Sequence, residues 1–159
     1  MELPKLILVP TDFGGSSDRA LAYAASLGKA LGAELVLLHA YELPIVGFPD
    51  GALVASPELA TRITEAAQIG LKKALDAHAG AGVPMRSLLR QGTTWRTILD
   101  VSKELGCDMI VMGTHGRHGL PRALLGSVAE KIVRSSHVPV LTVHAGDGAD
   151  SPPAPPEPR

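Results

Sequence analysis

Short, unbroken apolar runs, each closed by a turn signal, recur along this chain and restrict what it can become. Leu6-Ile7-Leu8-Val9 stops at Pro10-Thr11-Asp12, and Leu35-Val36-Leu37-Leu38, Met109-Ile110-Val111-Met112 and the stretch from Val138 to Val143 repeat the pattern. A strand with one wet face alternates apolar and polar residues, so runs without alternation suit strands covered on both faces of a parallel sheet. Val83 to Arg90 is more mixed and suits a strand nearer an edge. Helical patterns fill the intervals. Ser16 or Ser17 can cap a helix carrying Ala20, Leu21, Ala24, Leu27 and Leu31, with Gly32 as its stop. A second runs from about Pro57 to Ala79, a third from Thr93 or Thr94 to Gly106, and a fourth from Ser127 to the Ser135–Pro139 turn. Strict alternation of strand and helix predicts an α/β fold: a doubly wound, five-stranded parallel sheet with helices on both faces and right-handed crossovers.

With 159 residues, one such domain is expected over residues 1–145. From residue 146 the chain turns to Gly, Asp and Pro, which predicts a disordered, Pro-rich tail over 146–159. Glu42 to Ser56, with Pro44, Gly47, Pro49 and Gly51, reads as a long loop beyond the second strand and a candidate flap. Lysine plus arginine number 15 against 16 aspartate plus glutamate, and the few aromatics are scattered, so neither a polyanion surface nor a base-stacking platform is expected. No run approaches the ~20 apolar residues that span a bilayer. Cys107 is the single cysteine, which excludes an internal disulfide. A cytoplasmic protein that binds neither nucleic acid nor membrane follows as the expectation.

The most informative segment runs from Gly113 to Ser127, leaving one strand and entering one helix. Gly113, Gly116 and Gly126 permit positive φ and close backbone approach to a ligand. The free N–H groups and dipole of the helix opened by Ser127 favour phosphate. The spacing Gly-x-x-Gly-x9-Gly-Ser is neither a P-loop, since no lysine precedes Ser127, nor the Gly-x-Gly-x-x-Gly dinucleotide fingerprint.

That spacing resembles the ATP-binding signature of the universal stress protein family, and the likeness extends over about residues 4 to 144. It includes Leu8-Val9-Pro10-Thr11-Asp12, Leu37-Leu38-His39-Ala40, Gly92, Asp108 to Gly113, and His137-Val138-Pro139-Val140-Leu141. The resemblance implies a strand order of 3-2-1-4-5, with the ligand beyond the strand ends at the switch point between the first strand and the fourth. It implies that Pro10, Thr11 and Asp12 line the nucleoside, the Asp12 carboxylate accepting from adenine or ribose hydrogens, and that Ala40 offers backbone groups to the adenine edge. Met112, Gly113, His115 and Gly116 would run beside ribose and phosphate, and Gly126, Ser127 and Val128 would bind the β- and γ-phosphates. Magnesium or manganese would be held through the phosphates, with no complete protein cage. The last strand, Val138 to Val143, is expected at an edge, apolar on both faces, where a second copy would pair to make a homodimer.

Blander roles compete for the same residues. Asp12 can cap the turn into the first helix. Ser127-Val128-Ala129-Glu130 is a capping box in which the serine hydroxyl would bond the Glu130 N–H. His115 and His118 have metal-pair spacing, but no cysteine or carboxylate in the segment completes a set. His39 reads as a hydrogen-bonded core histidine and Cys107 as a small hydrophobe. Arg117, Arg122 and Lys131 suit either phosphate screening or a solvated face. Nothing assembles a nucleophile, a base and an orienting group, so hydrolysis is expected to be slow or absent, and the resemblance implies a regulatory stress-response protein that binds ATP. The alternatives are an ATP-dependent hydrolase or adenylyl-transferring enzyme using Asp12 or His115, and a dimerisation module without nucleotide.

Overall fold

The computed structural model describes residues 3–44, 46–47, 53–54, 56–114 and 125–144. Its strands are β1 (Leu6–Pro10), β2 (Glu34–Tyr41), β3 (Val46–Gly47), β4 (Leu53–Val54), β5 (Met85–Gln91), β6 (Met109–Gly113) and β7 (Val140–Val143). Five of them form one sheet in the order β5-β2-β1-β6-β7, every pair parallel. With the two-residue antiparallel pair β3–β4 set aside, this is the expected 3-2-1-4-5. That pair lies inside Glu42 to Ser56, which is therefore not loop throughout.

The missing alternation in the apolar runs now has its cause. Ile7, Val9, Leu35, Leu37 and Val111 point to one face, where α1 (Gly15–Leu31) and α2 (Pro57–Ala77) cover them. Leu8, Val36, Leu38, Ile110 and Met112 point to the other, under α3 (Thr94–Glu104) and α4 (Ser127–Ser135). Each fully buried Leu, Ile or Val contributes roughly 1.5–3 kcal/mol, so the three central strands carry most of the drive to fold.

Helix ends follow local chemistry with some departures from the sequence reading. Gly32 closes α1 at φ 67° and Gly106 follows α3 at φ 65°, both left-handed positions that favour glycine. The cap of α1 is Gly14, not Ser16 or Ser17; Asp18 N donates to the Gly14 carbonyl, which starts the helix before either serine. Ser56 caps α2 by accepting from Leu59 N, with Pro57 at the first helical position. The helix stops at Ala77, and a 3-10 turn over Ala79–Ala81 leads to Gly82 at φ 70°. The final strand is shorter than the expected Val138–Val143. Ser136 Oγ donates to the Val138 carbonyl and accepts from Val138 N, so Val138 belongs to the turn and pairing begins at Val140. The tail, residues 146–159, lies outside the described residues.

Candidate functional site

β1 lies between β2 and β6, and the chain leaves β1 and β6 toward opposite faces, into α1 and α4. This divergence opens a crevice beyond the carboxyl ends of the two strands. A cavity of about 300 Å³ occupies it. β1 contributes Pro10 and Thr11, with Asp12 just beyond; β2 contributes Leu38, His39 and Ala40; β6 contributes Met112 and Gly113, followed by Thr114. The first turn of α4 adds Ser127, Val128 and Ala129 behind Gly126, α3 adds Thr94 and Ile98, and α1 adds Ser17. The sequence reading therefore converges on one place for Pro10, Thr11, Asp12, Ala40, Met112, Gly113, Gly126, Ser127 and Val128. His115 and Gly116 lie outside the described residues.

The wall is chemically divided. Leu38, Ile98, Met112, Val128 and Ala129 form its apolar part. Among the described lining residues Asp12 is the only carboxylate, and there is no lysine or arginine. Among the described residues, positive potential comes from the amino termini of α3 and α4, whose first residues, Thr94 and Ser127, both line the cavity. Such a wall suits an anion attached to an apolar ring. Among the described residues no three His, Cys, Asp or Glu groups are placed to hold a metal ion.

A directed hydrogen-bond chain sets the β1–α1 turn. Phe13 N donates to Thr11 Oγ1 at 3.0 Å, and Thr11 Oγ1 lies 3.2 Å from Ser17 Oγ. Ser17 Oγ donates toward Asp12 Oδ1 at 2.8 Å and the Gly14 carbonyl at 2.9 Å, while Gly14 N donates to Asp12 Oδ1 at 2.9 Å. Asp12 thus does cap this turn through Oδ1, and it also faces the cavity. His39 Nδ1 lies 2.8 Å from the Thr11 carbonyl, which can only accept, so Nδ1 carries the proton. The core-histidine reading holds in its hydrogen bond, although the residue is half-buried and borders the cavity.

Two expectations for the glycine segment change. Gly113 and Gly126 need no positive φ: Gly126 is extended at φ −61° and ψ 152°, and Gly113 is absent from the positive-φ glycines. Gly113 is required by close approach, because a Cβ there would overlap Ser16 Oγ and stand 2.8 Å from the Ser16 carbonyl carbon. The Ser127 capping box does not form either. Gly126 is the cap and its carbonyl accepts from Glu130 N at 2.9 Å, while Glu130 pairs with Arg134. Ser127 sits at the first helical position, where its hydroxyl is not claimed by the cap.

Ser17, Leu38, His39, Thr94, Ile98, Thr114 and Ala129 line the cavity without having been read as ligand residues. Thr94 carried the one available signal, since it opens a helix directly after a strand. Thr114 gives no such signal; its role comes from tertiary bonds, with its N–H on the Val143 carbonyl at 3.1 Å and its carbonyl accepting from Gly126 N at 2.8 Å. Its hydroxyl lies 3.3 Å from His144 Nδ1.

Comparison with known proteins gives consistent results. Residues 4–144 match the universal stress protein family. Universal stress protein MJ0531 of Methanocaldococcus jannaschii is 35% identical over 143 residues, covering 89% of this chain and 82% of that protein. The solved structure of a second protein of that organism, MJ0577, superposes with a TM-score of 0.75 at 26% identity, covering 91% and 98% of the two chains. A universal stress protein solved in complex with cAMP superposes with a TM-score of 0.67 at 26% identity, covering 90% and 98%. On the family match over nearly the whole described chain and the identity to a curated member, this protein belongs to the universal stress protein family.

Proposed function

We propose that this protein binds ATP in the cavity at the switch point and acts in stress response as a regulatory homodimer, not as a fast enzyme. The observation that carries the reading is the mixed wall: an apolar part formed by Leu38, Ile98, Met112 and Val128, the Asp12 carboxylate, and the amino termini of two helices, with no basic side chain among the described lining residues. An adenine ring suits the first, ribose or adenine donors suit the carboxylate, and phosphate suits the helix ends. The glycine spacing and the cAMP complex of a relative add support.

In this reading Pro10, Thr11 and Asp12 contact the nucleoside and the Ala40 backbone meets the adenine edge. Met112, Gly113, His115 and Gly116 follow ribose and phosphate, and Gly126, Ser127 and Val128 hold the β- and γ-phosphates. Magnesium or manganese is carried on the phosphates, since the described residues offer no cage for it. Hydrolysis is slow or absent, because Asp12 Oδ1 is already engaged by Gly14 N and Ser17 Oγ and so is poorly placed to serve as a base. The second copy pairs along the edge strand β7, whose Leu141 and Val143 are only half-buried. The protein works in the cytoplasm, in keeping with its single, buried thiol. No helix among the described residues is long and apolar enough to cross a membrane.

Calorimetric titration with magnesium-ATP tests the site. Gly126→Val adds bulk where phosphate must approach, at a backbone conformation any residue adopts. Loss of binding in a folded variant is expected; unchanged affinity would overturn the assignment.

A further inference from the structure

We propose that Phe13, locked in a left-handed conformation and seated in a notch on α2 left by Gly70, is a positioning residue for Asp12 that sets ligand affinity from the face opposite the cavity. The inference rests on the nucleotide reading of the site and adds to it a residue outside the cavity wall.

Phe13 has φ 62°, the one positive value among the described non-glycine residues. Bulky side chains rarely adopt that region, and glycine would adopt it without strain. A phenylalanine there implies that the ring contributes something the backbone alone does not. The ring centroid lies 4.4 Å from that of His39, which itself holds the Thr11 carbonyl through Nδ1. A Cβ on Gly70 would fall 2.8–3.0 Å from Phe13 Cζ, Cε1 and Cε2. Gly70 lies in the interior of the 21-residue α2, where glycine weakens a helix, and the notch it leaves is filled by this ring.

The backbone consequence runs directly to the site. The left-handed turn at Phe13 directs its N–H to Thr11 Oγ1 and the next N–H, Gly14, to Asp12 Oδ1. Phe13 belongs to the core on the α1–α2 face, while the cavity is walled largely from the α3–α4 face. The ring thus fixes the Asp12 carboxylate without being part of the wall, and its contact with Gly70 ties α2 to the site.

The test is a double-mutant cycle on the full-length chain. Phe13→Ala leaves a Cβ at the left-handed position and removes the anchor that holds it there; magnesium-ATP affinity is expected to fall about tenfold by calorimetry, within the range of coupled neighbours. In an Asp12→Ala background the same change is expected to cost less than about twofold, because its effect passes through the carboxylate. Gly70→Ala, which fills the notch from α2, should weaken binding in the same direction while circular dichroism stays native. Equal losses with and without Asp12, or no loss in either anchor variant, would overturn the proposal. A ligand-free readout separates it from the nucleotide reading: Phe13→Ala should speed hydrogen exchange at the Gly14 amide while the β1 amides stay protected. If wild type binds no ATP, the nucleotide reading fails, and faster exchange at Gly14 alone would uphold the positioning role that unchanged exchange would refute.

Discussion

Gly113→Ala asks whether β6 and α1 approach as closely as the structure requires. The added Cβ would overlap Ser16 Oγ, stand 2.8 Å from the Ser16 carbonyl carbon and 2.9 Å from its carbonyl oxygen. The hydroxyl could rotate away, but the backbone atoms belong to the first turn of α1 and move only with the helix. Overpacking of this kind costs typically 1–3 kcal/mol, and backbone partners put the expectation at about 2–3 kcal/mol. For a chain of this size each kcal/mol moves the melting temperature by about 2–4 °C, so a drop of roughly 4–12 °C is expected. Urea denaturation followed by circular dichroism should give a lower midpoint with an unchanged slope. Adding Ser16→Gly removes only the Oγ contact and should restore less than half of the loss. A Gly113→Ala protein within about 0.5 kcal/mol of wild type, the range of an unremarkable surface change, would refute the close-approach account of this glycine.

Two further perturbations test the rest of the fold. Asp108 Oδ2 accepts from Lys5 N at 2.8 Å and Leu6 N at 2.9 Å, and these bonds hold its carboxyl below the usual carboxylate range. A depressed folded value means stability fully present above the unfolded carboxylate value of about 3.9 and lost as pH falls through the folded one. Asp108→Asn should therefore be less stable than wild type in urea melts at pH 7, and the gap should narrow as pH falls below the unfolded value of about 3.9. Cys107 is 3% exposed, and burial pushes its thiol up to about 11. Native protein at pH 8 should react with a thiol reagent far more slowly than the urea-unfolded chain, and equal rates would contradict its burial.

The parallel sheet was legible because its cause is periodicity, or the lack of it. Unbroken apolar runs at Leu6–Val9, Leu35–Leu38 and Met109–Met112 can be satisfied only by cover on both faces, and both faces are covered. Helix starts were less legible. Ser16, Ser17 and Ser127 are all good capping residues, yet each cap falls to the preceding glycine, Gly14 or Gly126. In each case the preceding glycine takes the extended conformation, and its carbonyl starts the helix ladder. A second constraint on Gly113 went unread for a similar reason: it also needs a small residue because of Ser16, ninety-seven positions away in the chain, and distant neighbours leave no local signal. Thr114, His39 and Ile98 belong to the cavity through tertiary placement, which no spacing rule reports.

The central claim is that the crevice between β1 and β6 holds ATP. Native mass spectrometry of the full-length protein, purified without added nucleotide and then incubated with millimolar magnesium-ATP, tests it most directly. The account predicts a chain carrying one ATP per protomer, in wild type but not in Gly126→Val. Bare protein in both cases, after incubation with saturating ATP, would contradict it.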